Sequence, residues 1–326
     1  VNDYQGTYDS TYKSTNLALY AQVDERLTSH WSWSAGLRGE QHKANYDYSD
    51  TDGYLLQRSP TDRMWGGQAS LGYDLTDNQN TYLSVSRGYK AGGFNSTGSA
   101  AQIKPDFGQE VLLNYELGTK GTAMQGSLYF DTALFYEQRK NVQITNSTQL
   151  PGTGEFVIFT DNAGSGFNTG IESSVRFKVT SVFEVGGSLG LLRSGTAAYS
   201  YTDTTGAANA VSARDQAYAP AYNAALYGLW KAPSGWMARV DLQAKDHFYV
   251  ASAPDTHESK AYAVTNIKVG YDQARWNAYL WVMNLFNEDY AVHGFVFQNN
   301  PALTNDELYL QKGDPRQIGV TANWKF

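Results

Sequence analysis

The sequence predicts an all-β fold, in which long antiparallel strands form a β-barrel that crosses a membrane. Three observations support this prediction: the composition, the alternation of apolar and polar residues, and the lengths of the connections. Of the 326 residues, 14% are aromatic and only 17% are charged, and there are 24 tyrosines and 31 glycines. Soluble domains usually carry more charge, whereas strands favour aromatic residues. The mean hydropathy of −0.48 is compatible with a barrel, because barrel strands hide their apolar face in alternation.

The alternation is clear in GWMARVDLQAK (235–245). Its apolar residues fall on one face of an extended chain and its ionic residues on the other, because side chains alternate along a strand. The same pattern occurs in TGIESSVRFKV (169–179) and RQIGVTANWKF (316–326). Helical spacing is not sustained for more than a turn or two. We therefore predict about thirteen strands, at 14–25, 31–45, 62–75, 80–91, 109–120, 123–138, 165–179, 182–198, 219–231, 235–250, 260–272, 275–288 and 312–326.

The connections between these strands alternate in length. The short turns are 27–30, 75–79, 119–122, 180–181, 231–235 and 272–274. The long connections are 46–61, 91–108, 139–164, 198–218, 252–260 and 291–311. Short turns at one end and long loops at the other are typical of an outer-membrane barrel.

Aromatic residues gather near the ends of the predicted strands, as amphipathic rings do at the two interfaces of a membrane. They are Trp31, Trp33, Trp65, Tyr73, Trp230, Trp236, Trp276 and Trp324. A soluble all-β binding or adhesion module is the alternative, and it predicts that the chain purifies without detergent.

Several function classes are disfavoured by composition. The net charge of −7 and the lack of a basic run argue against nucleic-acid binding. There is no cysteine, and the five histidines show no ligand spacing, so no metal site is expected. None of the common hydrolase, metalloprotease or phosphate-loop motifs is present, so the protein is not expected to be an enzyme.

Five segments carry a family resemblance: WSAGLRGE (33–40), TYLSVSRGYKAGGFN (81–95), NYELGTKGT (114–122), WVMNLFNEDY (281–290) and GDPRQIGVTANWKF (313–326). In order and spacing they resemble the barrel of the TonB-dependent outer-membrane receptors, of the siderophore-receptor type. The resemblance implies a barrel of about 22 strands around an N-terminal plug. We therefore expect residues 1–326 to be the C-terminal portion of the barrel, without the plug, the TonB box or the first strands. The family resemblance also implies that Trp324 and Phe326 form the signal read by the barrel-assembly machinery.

The resemblance implies import of a scarce ligand across the outer membrane with energy from the TonB complex. A ferric siderophore is the expected ligand, and vitamin B12, haem or a saccharide would fit the same scaffold. A passive porin is an alternative from another class. The expected partners are outer-membrane lipid and lipopolysaccharide, the protein's own plug, the TonB complex and the assembly machinery. No covalently bound cofactor is expected.

Ligand contacts are expected among aromatic and basic residues of the long connections, which would face the mouth of the barrel. In SRGYKAGGFNSTGS (86–99) a strand passes into such a connection, with Arg87 and Lys90 expected near the headgroup or lipopolysaccharide level. The candidate contacts are Tyr46, Tyr48, Tyr54, Arg58, Lys90, Phe94, Phe107, Tyr199, Tyr201, Arg214, His247, Tyr249, His293, Phe295 and Phe297. Charges predicted to face inward, where they would line a wet lumen or hold the plug, are Arg38, Glu40, Glu116, Glu172, Arg176, Arg239, Asp241 and Lys245.

Overall fold

The structure of the chain is a computed structural model that describes residues 7–51, 53–96, 104–149, 156–202, 208–251, 256–297 and 307–325. Within these ranges, no helix is long and apolar enough to cross a membrane. The regular structure there is one 3₁₀ turn (Met124–Gly126) and the strands β1 (Tyr8–Arg26), β2 (Trp31–Asp50), β3 (Leu55–Arg58), β4 (Thr61–Thr76), β5 (Gln79–Lys90), β6 (Gly93–Phe94), β7 (Asp106–Phe107), β8 (Glu110–Ala123), β9 (Leu128–Gln149), β10 (Phe156–Lys178), β11 (Phe183–Thr196), β12 (Tyr199–Thr202), β13 (Ala208–Val211), β14 (Tyr222–Lys231), β15 (Trp236–Lys245), β16 (Tyr262–Asp272), β17 (Trp276–Met283), β18 (Ala291–Phe297), β19 (Glu307–Lys312) and β20 (Gln317–Trp324).

Thirteen long strands lie side by side in one antiparallel sheet, in the order β1-β2-β4-β5-β8-β9-β10-β11-β14-β15-β16-β17-β20. This order confirms the predicted all-β antiparallel architecture and its number of long strands. β3 pairs with β2 only, and the pairs β6–β7, β12–β13 and β18–β19 are small hairpins inside long connections. Short turns join the long strands at one end of the sheet and long connections join them at the other, as the sequence predicts.

Residues 139–164, predicted as a long connection, are largely extended in the structure. β9 and β10 continue to pair with each other as far as Gln149 opposite Phe156. The reason is that Val142, Val157 and Phe159 are buried in this outer part of the hairpin, so the extended conformation is stabilised by packing as well as by the ladder. The strands predicted at 123–138 and 165–179 therefore continue into the long connection predicted at 139–164.

The strand predicted at 275–288 ends early, at Met283, because Asn284 turns the chain. Asn284 has a φ of 48° and is only 3% exposed. Its side-chain amide donates to the carbonyl oxygens of Glu288 (2.9 Å) and Asp314 (3.0 Å), and its side-chain oxygen accepts from the Glu288 amide (2.8 Å). Asparagine tolerates this left-handed conformation and can hydrogen-bond nearby backbone. Asn284 therefore fixes the start of the last long connection.

The two faces of the sheet differ in chemistry. One face, called the apolar face, exposes side chains such as Leu226 (56%), Leu280 (53%) and Val320 (73%). Paired residues share a face, so the ladder from Val269 to Leu280 and Val320 is apolar throughout. The opposite face, called the polar face, carries the charged residues of the same strands.

Aromatic rings of the apolar face line up at the short-turn end of the sheet. Trp31 packs on Tyr73 with 4.7 Å between ring centroids. Tyr271 contacts Trp276 at 5.6 Å, and Trp324 lies opposite Trp276 in the ladder. This arrangement confirms the predicted placement of aromatic residues at strand ends, and it is the geometry of an interfacial girdle.

Buried side chains concentrate at the long-connection end. The buried residues there include the apolar Val142, Val157, Phe159, Val211, Phe248 and Val250 and the polar Asn95, Glu110, Asp161 and Ser194. The sheet itself is a single layer with two exposed faces, so the long connections supply the packed core of this part of the protein.

Aromatic rings on the polar face lie over glycines of the neighbouring strand. Such a contact predicts that a larger residue in place of the glycine destabilises the protein. Trp281 lies opposite Gly319, and a Cβ at Gly319 would overlap the indole ring. We expect Gly319→Ala to destabilise the protein by about 1–3 kcal/mol, because the ring must leave its rotamer. Gly39→Ala is the matched control, since a Cβ there meets nothing within 4 Å. Urea unfolding in lipid vesicles measures both, and equal effects of the two substitutions would contradict the argument.

Candidate functional site

The long connections form the candidate site, and together they are called the rim. Its members are L1 (51–60), L2 (91–109), L3 (141–165), L4 (197–221), L5 (246–261) and L6 (284–316). L3 is the outer part of the β9–β10 hairpin, where these strands pair only with each other. Among the described residues, each member of the rim contacts at least one other member.

Ion pairs, hydrogen bonds and ring contacts join the members of the rim. L1 meets L2 where the Arg58 guanidinium lies 3.5 Å from the Asp106 carboxylate. L2 meets L3 through the Lys104–Asp161 ion pair (2.8 Å). The remaining contacts are Phe159 with Tyr201 between L3 and L4, Tyr218 with Phe248 between L4 and L5, and Tyr218 with His293 between L4 and L6. The connections therefore form one contiguous structure rather than separate loops.

The Glu110 carboxylate, at the start of β8, is bound by residues of β9 and L3. Glu110 is 7% exposed. Its Oε1 accepts from the Arg139 guanidinium (2.5 and 2.7 Å), and its Oε2 accepts from the Gln143 amide (2.8 Å). Arg139 also donates to the Gln216 side-chain oxygen of L4 (3.1 Å). A buried charge is tolerated only when it is paired and hydrogen-bonded, and Glu110 meets both conditions.

Asn95 joins L2 to L3 in a similar way. Its amide nitrogen donates to the carbonyl oxygens of Lys104 (2.7 Å) and Thr160 (2.9 Å), and its oxygen accepts from the Thr160 amide (2.8 Å). The Gln143 side chain of L3 donates to the Ala91 carbonyl of L2 (2.7 Å). These residues were not predicted from the sequence, because polar loop residues that meet across 65 positions leave no periodic signal.

A group of six aromatic residues, called the tyrosine cluster, lies where β1, β2 and β6 reach the rim. Neighbouring rings are 5.0 to 6.4 Å apart between centroids, distances that are typical of aromatic pairs. The outermost rings remain accessible: Tyr8 is 71% and Tyr12 57% exposed. The members are Tyr8, Tyr12, Tyr46, Tyr48, Tyr54 and Phe94.

The structure thus brings four sequence candidates, Tyr46, Tyr48, Tyr54 and Phe94, into one surface. It adds Tyr8 and Tyr12, which precede residue 14, where the sequence predicts that the first strand begins. Tyr12 lies directly opposite Tyr46 in the ladder. The recurrence of tyrosine at residues 4, 8 and 12, which places the three on one face of an extended chain, is the signal that could have found them.

Three other aromatic candidates pack inside the rim. The Phe107 ring lies against Gly93, where it would overlap an added Cβ. Tyr201 packs against the buried Val157 and Phe159. Burial raises the pKa of Tyr199 to about 12. These residues fill space between L2, L3 and L4.

Tyr218 organises the opposite part of the rim. Its hydroxyl lies 2.7 Å from His293 Nδ1 and donates to the Gly294 carbonyl (2.7 Å), and the two rings stack at 5.3 Å. In L4, the Arg214 guanidinium lies 4.0 Å from the centroid of the Tyr249 ring. Tyr218 has a φ of 56°, and nothing in the sequence marks it.

The last aromatic candidates lie in the hairpin of L6. Phe295 stacks on Tyr309 with 5.3 Å between centroids and is 53% exposed. Phe297 lies in β18, and its side chain is outside the described part of the chain. Phe326 is also outside the described residues, whereas Trp324 is 62% exposed on the apolar face.

His247 lies at the start of L5 beside an acidic neighbour. Its Nδ1 is 2.9 Å from the Asp246 carboxylate, and Glu258 is 4.0 Å from Nε2. The hydrogen bond to Asp246 is the main cause of a raised pKa of the His247 imidazole. Because the folded pKa lies above the unfolded value, the attraction is present below pH about 6.5 and is lost as the pH rises through the folded pKa.

We expect Asp246→Asn to lower the pKa of His247 toward 6.5, the ordinary value. Nuclear magnetic resonance titration of the imidazole in micelles measures this directly. Glu258→Gln is the matched control and is expected to lower the same pKa less, because Glu258 lies farther from the ring. A larger effect from Glu258→Gln than from Asp246→Asn would show that the assigned partner is wrong.

The basic candidate Lys90 lies at the rim end of its strand, whereas the charges predicted to face inward lie on the polar face of the sheet. Lys90 is exposed at the end of β5 and lies opposite Glu110 in the ladder. On the polar face, the Arg38 guanidinium pairs with Glu40 (2.7 Å), which also accepts from the Tyr89 hydroxyl (2.8 Å). The other charges on the polar face line two recesses of about 970 and 550 Å³: Glu116, Glu172 and Lys245 the larger, and Arg176, Arg239 and Asp241 the smaller.

The side chains of the rim determine which kinds of ligand it can bind. In the described ranges, no group of three or more His, Asp or Glu side chains could hold a metal ion. The accessible features of the rim are instead aromatic faces, hydroxyl groups and a few basic side chains. Such a surface binds a ligand through stacking and hydrogen bonds.

Comparisons with known proteins identify one family model and several receptors that this chain resembles. A family model described as TonB dependent receptor-like, beta-barrel matches residues 1–285. The pesticin receptor of Yersinia pestis is 29% identical over 165 residues, which are 50% of this chain and 23% of that receptor. The metal-pseudopaline receptor CntO of Pseudomonas aeruginosa is 23% identical and aligns over 95% of this chain and 41% of its own length.

The fold agrees with a solved structure. The crystal structure of the ferric yersiniabactin uptake receptor FyuA from Yersinia pestis superimposes with a TM-score of 0.77 at 22% identity. The alignment covers 98% of this chain and 47% of that receptor. The chain therefore spans about half, or less, of the length of the proteins it matches.

Proposed function

The chain belongs to the TonB-dependent receptor β-barrel family, whose members are outer-membrane proteins, and from this premise we propose that the protein imports a ferric siderophore. The observation that carries the proposal is the tyrosine cluster at the rim, with Tyr8 and Tyr12 largely exposed. Aromatic rings held at fixed spacing offer stacking faces and hydroxyl groups to a phenolate or catecholate chelate.

The names of the matched relatives support a metal chelate as the cargo. One is a metal-pseudopaline receptor and another takes up ferric yersiniabactin. Both are receptors, and in this protein too the work is binding and transport rather than bond chemistry. Selection among ligands depends on differences in binding energy at the rim.

Energy for import is proposed to come from the TonB complex, acting through a plug domain of the protein inside the barrel. The charged polar face is where such a plug would lie. Arg239 and Asp241 (2.6 Å) form a self-contained ion pair there, with the Arg239 guanidinium 4.3 Å from the Tyr227 ring. Charge pairs of this kind let a polar partner pack against the wall without leaving a charge uncompensated. The barrel-assembly machinery is proposed to read the last strand.

Uptake measurements test the proposal in cells that carry the full encoded protein. We expect accumulation of a radiolabelled ferric phenolate or catecholate chelate that depends on both the protein and TonB. Haemin and cyanocobalamin are tested in parallel. Accumulation that persists without TonB would favour a passive channel, and TonB-dependent uptake of haemin or cyanocobalamin alone would replace the siderophore with another cargo.

A further inference from the structure

Basic side chains lie on the apolar face of the sheet, just beyond its hydrophobic band toward the rim. On β1, β2 and β4 these side chains follow Leu17, Leu37 and Trp65 in alternation on the same face, and those leucines and the tryptophan are 54–75% exposed. Because side chains at positions two apart share a face, the basic residues continue the surface that meets the membrane. We call them the basic ladder: Lys13, Lys43, Arg63, Arg87 and Lys140.

The strand register places the first three members next to one another. Lys13 lies opposite Asn45, which is two residues from Lys43. Lys43 lies opposite Thr61, which is two residues from Arg63. Such diagonal neighbours are about 7–8 Å apart, within reach of long side chains. Three cations on three adjacent strands can therefore contact one multivalent anion.

Arg87 continues the ladder and is fixed in place. Its guanidinium lies 4.0 Å from the centroid of the Trp65 ring and donates to the Trp65 carbonyl oxygen. Tryptophan on the outer face of a barrel marks the boundary between hydrocarbon and headgroups. Arg87 is thus held at that boundary, where a cation–π contact and a backbone bond restrict its motion.

Within the part of the chain that the structure describes, the basic ladder lacks an acidic partner. Among the described residues, Lys13, Lys43, Arg63 and Lys140 form no ion pair, and all four are exposed. Asp47, farther out on the same face of β2, accepts instead from the Gln57 side chain (3.1 Å). Cations beside hydrocarbon are costly unless an anion accompanies them, and an anionic membrane surface attracts basic side chains that lie near it.

We propose that the basic ladder binds the phosphate groups of a lipopolysaccharide molecule of the outer leaflet, with its acyl chains on Leu17, Leu19 and Leu37. The proposal rests on charge and on the order of the groups along the strands. The phosphates would lie at the level of the cations, and the acyl chains would lie directly below them, at the level of the leucines. The site faces the membrane, whereas the tyrosine cluster faces the mouth, so this inference is independent of the identity of the cargo.

Binding of bis-phosphorylated lipid A to the full encoded protein in detergent tests the proposal. We expect the variant Lys43→Gln/Arg63→Gln/Arg87→Gln to bind at least about tenfold more weakly, because charge-assisted contacts to phosphate are lost. The control variant Lys231→Gln/Arg275→Gln/Lys325→Gln removes the same charge at the short-turn end and is expected to bind as the parent does. Circular dichroism confirms that each variant is folded.

Two further probes distinguish the source of the anion. Dephosphorylated lipid A is expected to bind at least about tenfold more weakly than the bis-phosphorylated form, and inorganic phosphate at equal concentration is expected not to compete. Equal binding by the two triple variants, equal binding of dephosphorylated lipid A, or full competition by inorganic phosphate would each overturn the proposal. If the triple variant unfolds, Arg63→Gln alone is compared with Arg275→Gln by the same measurement.

Discussion

Replacing Arg139 by methionine is expected to destabilise the protein by about 3–5 kcal/mol. The reason is the position of Glu110, which is 7% exposed and whose Oε1 accepts from Arg139. Without the guanidinium, the carboxylate remains buried next to the Gln143 amide with its charge uncompensated. Urea unfolding in lipid vesicles measures the global effect.

The same substitution is expected to loosen the rim locally. Arg139 also holds Gln216, whose side chain donates to Asn168 (3.0 Å) and to the Phe167 carbonyl (3.2 Å). Hydrogen exchange should therefore rise in L2 and L4 more than in the strands of the sheet. Uniform exchange across the chain would contradict a local role.

Lys312→Met is the matched control for Arg139→Met. Lys312 pairs with Asp289, but the two side chains are 59% and 70% exposed. An exposed ion pair contributes about 0–1 kcal/mol, so a small effect is expected. The double variant Glu110→Gln/Arg139→Met should recover part of the loss, because it removes the buried charge. Equal destabilisation by Arg139→Met and Lys312→Met would show that Glu110 is not electrostatically dependent on Arg139.

The long strands of the sheet were predictable from the sequence because the residue patterns that identify a strand are local. Alternation within eleven residues, as in 235–245, is enough to identify a strand and its two faces, and the alternation of connection lengths gives its polarity. A register that is wrong by one residue would turn every side chain to the other face, so knowing the apolar face excludes such slips. The aromatic rings at the short-turn end, such as Trp236 and Trp276, could be placed on the same grounds.

The rim could be predicted only in part. Aromatic candidates such as Tyr46 and Phe94 were found by residue type and by their place near a long connection. The contacts that position them were not, because Asn95, Glu110 and Gln216 meet partners 29 to 77 residues away. Polar residues in connections have no period, so only the three-dimensional structure shows which of them are buried and paired.

The tyrosine cluster gives the second large expected effect, on ligand binding rather than stability. Tyr46 and Phe94 lie 5.0 Å apart between centroids at the middle of the cluster. We expect Tyr46→Leu/Phe94→Leu to weaken binding of the ferric chelate found in the uptake assay by about tenfold or more, since truncated aromatic anchors cost over about 1 kcal/mol each. Tryptophan fluorescence quenching of the full encoded protein measures the affinity.

Two variants separate stacking from other causes. Tyr46→Phe keeps the ring and removes the hydroxyl, so affinity close to that of the parent indicates that the aromatic face is what binds. Tyr115→Leu removes a ring that is 42% exposed on the apolar face, away from the cluster, and is expected to leave affinity unchanged. If Tyr46→Phe weakens binding as much as the double leucine variant, the hydroxyl group is the contact. If Tyr115→Leu is equally harmful, the effect arises from the barrel wall and the cluster is not the site. The cluster is the binding surface only if the loss follows the rings of Tyr46 and Phe94, because stacking requires a ring at that place and tolerates the loss of a hydroxyl group.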